Sequence, residues 1–230
     1  GTPKSVVAAD DFSCALLNNT RVACWGNNKH GQCGADAQEM TLTSPALVRQ
    51  VGAPEAPLEE ASALAAGGDN ACVLTEDNTV ACWGSDSHGQ LGTSGQNPTE
   101  IKEHSTWYPE ASVQGLGEDP ITRLEVGGAH ACVQVQPTGA PSKLMCWGRS
   151  TEGAYGVISE GTEVGFSTPV EVEGPWPGYQ HPFSLGHRHS CALYDLGDAG
   201  PEQVSCMGDN SAHQTSNQLL QAVAGSDVTT

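Results

Sequence analysis

Eight of the nine cysteines in this 230-residue chain fall into four pairs at a fixed long period, and no other feature constrains the fold as much. The leading cysteines are Cys14, Cys72, Cys132 and Cys191, at steps of 58, 60 and 59 residues. Each is followed by a second, Cys24, Cys82, Cys146 and Cys206, after 9, 9, 13 and 14 intervening residues. The surrounding sequence repeats as well. "SCALLNNTRVACWGNNKHGQCG" (13–34) is matched by "ACVLTEDNTVACWGSDSHGQLG" (71–92) and "ACVQVQPTGAPSKLMCWGRSTEGAYG" (131–156), and in decayed form by "SCALYDLGDAGPEQVSCMGDNSAHQTS" (190–216). A period near 59 residues marks an array whose units bury their apolar faces against their neighbours.

The middle of every pair holds turn-forming residues: Asn19, Asp77, Gly139 within "PTGAP", and Asp198 with Ala199 within "LGDAGP". A hairpin whose length varies only at its tip places the two cysteines of one copy opposite each other. Facing residues about 4.5 Å apart suit a disulfide. Four intra-repeat disulfides are therefore expected, Cys14–Cys24, Cys72–Cys82, Cys132–Cys146 and Cys191–Cys206, each worth roughly 3 kcal/mol in chain entropy. Structural zinc prefers closely spaced CxxC pairs, which this sequence lacks, so neither a metal nor a cofactor is expected. Cys33 is the odd thiol. It stands where the second copy has Leu91 and the third Tyr155, so it reads as buried and unpaired, with an intermolecular disulfide as the alternative.

Before each hairpin lies a small, apolar lead-in: "VVAADD" (6–11), "ALAAGGD" (63–69), "LEVGGAH" (124–130) and "FSLGHRH" (183–189). These read as inner strands ending in bends where backbones crowd near an axis. After each hairpin comes an apolar stretch opened by proline, "PALV" (45–48), "PEASV" (109–113) or "PVEV" (169–172), which reads as an edge strand beginning at its proline. With 28 glycines, 14 prolines and 5% aromatic residues, turns prevail over long helices, and the fold class is all-β with four short strands per unit.

The units resemble the RCC1-like (regulator of chromosome condensation) repeat. The resemblance is carried by "CALLNNTRVACWGNNKHGQCG", by "CVLTEDNTVACWGSDSHGQLG", by "GGAHACVQV" with "MCWGRSTEGAYG", and by "GHRHSCAL" with "SCMGDN". It implies a β-propeller of about four four-stranded blades in one domain over 1–230, with repeats near 5–62, 63–122, 123–182 and 183–230. It also implies that Trp25, Trp83 and Trp147 pack blades. Relatives commonly close with seven blades, so three arrangements stand: a small four-bladed ring, part of a larger propeller, or a ring completed between chains. The fourth copy departs from the pattern at Met207, where the others have tryptophan, and at His213 and Ser216, where they have glycine. The final "LLQAVAGSDVTT" (219–230) is similar to the inner-strand lead-in. The cysteine-paired form resembles exported bacterial members, which implies an extracytoplasmic location: secreted, periplasmic or cell surface.

A formal net charge of −18 argues against nucleic acid as a partner. No run of 18 apolar residues exists to insert in a membrane, and "GTPKSVVAADD" lacks the apolar core of a signal peptide. Nine cysteines suit an oxidising compartment. The segments 34–44, 93–108 and 157–168 differ greatly between copies, as a recognition face for a protein partner requires, with loops that merely tolerate drift as the alternative. Trp107, Tyr108, Trp176 and Tyr179 are the candidate interface anchors, with packing between blades as the alternative. An enzyme, such as a hydrolase or lyase in a central funnel, would need convergent unlike groups. Here His130 and His189 share one repeat position, as do His30 and His88, and no GxSxG or HExxH motif occurs. Carbohydrate or metal (calcium) binding by the acidic loops "GEDP" (117–120) and "LGDAGPE" (196–202) is the alternative binding function, but EF-hand spacing is missing and the acidic residues are better read as serving solubility. The nucleotide-exchange role of some relatives is disfavoured by the acidic surface and the expected disulfides.

Overall fold

The computed structural model describes residues 1–35, 39–50, 53–93, 105–106, 109, 111–150, 153–155, 165–172, 183–194 and 203–212. The first blade is an antiparallel sheet of β1 (Pro3–Ala8), β2 (Phe12–Leu17), β3 (Val22–Asn27) and β4 (Thr41–Leu47), in that order. A short pair, β5 (Arg49–Gln50) and β6 (Ala53–Pro57), follows it. The second blade comprises β7 (Ala61–Gly67), β8 (Asn70–Thr75), β9 (Val80–Ser85) and β10 (Ser105–Thr106). The third comprises β11 (Ile121–Val126), β12 (His130–Val135), β13 (Lys143–Arg149) and β14 (Gly165–Glu171). In the fourth, the described strands are β15 (Phe183–Leu185), β16 (His189–Tyr194) and β17 (Gln203–Gly208).

Each blade is a meander because each turn carries the residues its geometry demands. The tips of the first two hairpins place Thr20 (φ 62°) and Asn78 (φ 62°) in the left-handed region, one residue before the second strand resumes pairing. Asparagine tolerates that conformation; a β-branched threonine is strained in it. Both residues bind the next blade. Thr20 Oγ1 accepts from Glu60 N (3.2 Å) and its carbonyl from Ala61 N (2.9 Å). Asn78 Oδ1 accepts from Ile121 N (2.7 Å) while its amide donates to Asp119 O (3.0 Å). The hairpin tip of one blade thus fixes the start of the next blade's inner strand.

The prolines expected to open the outer strands sit inside them. In the first blade Cys24 pairs with Ala46 and Gly26 with Leu42, so residues 43–45 face Trp25 alone. In the third blade Cys146 pairs with Val170 and Gly148 with Phe166, so residues 167–169 face Trp147. Pro45 and Pro169 lie in these bulges, where a missing N–H leaves no ladder bond unmade. In the second blade the outer strand is β10, and after Pro109 the chain reaches β9 through the bridge between Ala81 and Ser112 and a bond from Val113 N to Val80 O (2.7 Å).

The core lies between blades. One cluster joins Phe12, Cys14 and Cys24 to Val73 and Trp83; the next joins Cys72 and Leu91 to Val133 and Trp147; the third joins Cys132 and Tyr155 to Phe183 and Ala192. Inner strands follow one another, β1 beside β7, β7 beside β11 and β11 beside β15, and the described strands form no closed ring.

Candidate functional site

Each hairpin holds one disulfide at the same register. Cys14–Cys24, Cys72–Cys82, Cys132–Cys146 and Cys191–Cys206 are directly opposed Cα partners, with Cα–Cα distances of 4.0, 4.1, 4.1 and 4.1 Å. The residue before each first cysteine faces the residue after each second one: Ser13 opposite Trp25, Ala71 opposite Trp83, Ala131 opposite Trp147, and Ser190 opposite Met207. This cross-strand pair is where blades meet.

At the first joint Trp83 Nε1 donates to Gln32 O, and at the second Trp147 Nε1 donates to Gln90 O, both at 2.9 Å. The glutamines belong to the "GQ" turn of the preceding blade. That turn is preset locally: Gln32 Oε1 accepts from His30 N (2.9 Å), and Gln90 Oε1 from His88 N (2.8 Å). Asn28 and Asp86 close the same turn by accepting from Cys33 N and Leu91 N. At the third joint the Met207 side chain has no donor to give. Ser190 supplies it instead, donating Oγ–H to Ala154 O at 2.5 Å and lying 3.2 Å from His130 Nε2. Sequence reasoning recorded Met207 as decay and missed this replacement; its signal was the small polar Ser190 where the second and third copies have alanine.

His130 is fully buried, and burial, followed by the charges of His189 and His187, holds its imidazole down to about 3. It is a neutral packing group beside Tyr155, with ring centroids 6.0 Å apart. Asn70 occupies the same repeat position one blade earlier. It is buried, and neither side-chain amide atom has a partner among the described residues.

Around the axis the bends at 8–10, 66–68, 126–128 and 185–187 line a cavity of 280 Å³. Side chains there are small because successive bends touch. A β-carbon at Gly68 would collide with the carbonyl of Gly128, and one at Gly127 would lie 2.6 Å from Gly186 O. The ionisable side chains in the lining are Asp10 and His187, 3.7 Å apart and both exposed. Among the described residues no group of three or more His, Cys, Asp or Glu could hold a metal ion. His30 and His88 belong to the turns just described. Cys33 is a free, buried thiol within hydrogen-bond distance of Asn27 O (3.3 Å), and burial pushes its pKa up to about 12, which leaves it unreactive. Trp107, Tyr108, Trp176 and Tyr179 lie outside the described residues.

One surface departs from the repeat. The leading face of the first blade has no blade in front of it among the described residues. Val6, Leu64, Leu124 and Phe183 share one register position, opposite Ala15, Val73, Val133 and Ala192. Val6 is 66% exposed, Leu124 7% and Phe183 4%. Trp83 and Trp147 are fully buried, whereas Trp25 is half-buried and its indole N–H has no partner among the described residues.

Radially consecutive meanders, joined by cores between them and meeting at small-residue bends, define a β-propeller assembly. The repeat in question is the RCC1 type: a family model described as "Regulator of chromosome condensation (RCC1) repeat" matches residues 4–32 and 61–90, and the chain is similar to RCC1-like repeat proteins. It is 37% identical over 200 residues to the probable E3 ubiquitin-protein ligase HERC4 of Rattus norvegicus, covering 84% of this chain and 17% of the relative. It is 27% identical over 205 residues to the secretion-regulating guanine nucleotide exchange factor of Mus musculus, covering 85% and 41%. The probable E3 ubiquitin-protein ligase HERC6 of Homo sapiens is 29% identical over 187 residues, covering 76% and 16%. The chain thus spans well under half the length of these relatives. Among solved structures, yeast RCC1 (Prp20) bound to Kap60 superposes with a TM-score of 0.68 at 20% identity, covering 88% of this chain and 43% of that one. Human WBSCR16 gives 0.64 at 19% identity, covering 91% and 48%. These likenesses establish the fold.

Proposed function

We propose that this chain is a non-catalytic, disulfide-stabilised propeller module of an extracytoplasmic compartment that binds protein through the loops at one rim. The observation that carries the reading is the disulfide at one register of every blade, an investment in cross-links suited to an oxidising environment. The polar groups that recur by repeat support a scaffold role. Gln32, Gln90, Asn28, Asp86 and Ser190 are consumed in turns and joints. The variable segments 34–44, 93–108 and 157–168 are where partner recognition would reside. Among the relatives, yeast RCC1 (Prp20) is seen bound to Kap60, and a study of Prp20p concerns its binding to Gsp1p and histones, so protein binding has precedent in the fold.

The test is affinity capture from the fluid and surface fraction of the source cells with the oxidised chain, repeated with each variable segment replaced by a Gly-Ser linker. Capture of a protein that is lost with at least one replacement supports the reading. Recovery of small-molecule ligands alone, or equal capture by all replacements, contradicts it.

A further inference from the structure

We propose that the joint between the second and third blades binds a buried water molecule, clasped by the side-chain amide of Asn70. Asn70 has no solvent exposure, and neither its Nδ2 nor its Oδ1 has a partner among the described residues. A donor and an acceptor left buried and unbonded each carry the full cost of desolvation, and buried amides in folded proteins are satisfied by protein groups or by ordered water.

The repeat fixes where this amide faces and how much room it has. Side chains alternate across a strand, so Asn70 shares a face of β8 with Cys72 and Leu74, which cluster with Val133 and Trp147 of the third blade. Phe12, Asn70 and His130 hold one register position, each opposite a glycine: Gly26, Gly84 and Gly148. At the third joint His130 reaches the Ser190 hydroxyl directly, at 3.2 Å. At the first, Phe12 lies in one cluster with Ala71 and Trp83. The second joint presents the same facing pair as the first, Ala131 and Trp147, and the same indole-to-carbonyl bond of 2.9 Å spans both. Asn70 thus stands in a joint built like the one that takes a phenyl ring. The difference in side-chain size exceeds the ~30 Å³ that a water molecule occupies in the liquid.

One water satisfies the whole amide. Lying beside it, the water accepts from Nδ2–H and donates to Oδ1, whichever way round the amide is turned, and keeps one O–H for a carbonyl. Carbonyls of the third blade's bend lie on that side of the joint. Asn70 pairs with Gly67, and a β-carbon on Gly67 would strike Gly127 O and lie 2.7 Å from Val126 O. The resulting three hydrogen bonds are the usual complement of a buried water. The rival is a dry joint in which the amide stays unpaired, and the two arrangements respond oppositely to removal of the amide.

Water-selective ¹⁵N-edited NOE and ROE spectra of the oxidised chain test the site directly, with the Asn70 amide assigned through its β-carbon. A water held for longer than the molecule takes to tumble gives cross-peaks to the Nδ2 protons whose sign relative to the diagonal reverses between the two spectra, whereas proton exchange with solvent keeps one sign. Urea unfolding supplies the second readout. Asn70→Leu, close in size, removes the amide together with its water and should raise the unfolding equilibrium constant roughly fivefold. In a dry joint the same change relieves an unpaired buried amide and lowers that constant. Sign-reversing cross-peaks in the parent chain, with a constant that is unchanged or raised by Asn70→Leu, support the proposal. Absence of such cross-peaks in the parent overturns it, and so does a constant lowered by Asn70→Leu.

Discussion

Trp147 and Trp25 occupy the same repeat position, each opposite the residue before a disulfide-bonded cysteine, yet one is fully buried and bonded to Gln90 O while the other is half-buried, with no partner for its indole among the described residues. Their own strands do not differ in design. The acceptors of Trp83 and Trp147 belong to the blade before each, and among the described residues none is offered to Trp25. In such an array a side chain's energetic role is set by the neighbouring unit, as nearest-neighbour models of repeat proteins require.

The comparison breaks most directly by truncation. Trp147→Ala should cost about 3–5 kcal/mol in urea unfolding of the oxidised chain, whereas Trp25→Ala should cost well under half as much. Equal losses would mean that Trp25 is already covered. Disulfide removal is the control that should not distinguish blades. Cys14→Ala/Cys24→Ala and Cys72→Ala/Cys82→Ala close loops of equal length, so each pair should lose roughly 3 kcal/mol. A smaller comparison isolates the hydrogen bond. Trp147→Phe leaves Gln90 O without its buried donor and should cost about 1–3 kcal/mol, Ser190→Ala should cost a similar amount at Ala154 O, and Trp25→Phe should cost almost nothing in the dilute monomer.

A further effect is a pH dependence arising at the third joint, of which only the upper part is sampled between pH 7 and 5. Because burial lowers the His130 imidazole from 6.5 to about 3, the unfolded chain binds the extra proton between those values. The stability His130 contributes is therefore present in full above about pH 6.5 and is lost as the pH falls toward 3, at up to about 1.4 kcal/mol per unit. Unfolding free energies between pH 7 and 5 should show this slope, and His130→Asn, which installs the second blade's residue, should flatten it.

The blades were legible because their determinants are local and periodic. Cysteines equidistant from a turn specify the hairpin register, and Gly67, Gly68, Gly127 and Gly128 announced bends that tolerate no β-carbon. The placement of Pro45 and Pro169 was misjudged because a strand can continue through a bulge, which proline's position alone does not reveal. The joints were least legible. The acceptor for Trp83 is a backbone carbonyl 51 residues earlier, and backbone groups leave no mark in the sequence. Ser190 compensates for Met207 across a strand pair, a coupling visible only once the register is known. The pair β5 and β6 carries no repeat signal and was not foreseen.

The central claim, that the second, third and fourth blades are each locked by a donor into the turn of the blade before and that the Trp25 indole has no such acceptor among the described residues, is tested by hydrogen exchange at the tryptophan indoles. In dilute ¹⁵N-labelled protein, with signals assigned through single Trp→Phe variants, the account predicts strong protection of the Trp83 and Trp147 indole protons and rapid exchange at Trp25. Protection of Trp25 equal to that of the other two in the monomer, or rapid exchange at all three, would contradict it.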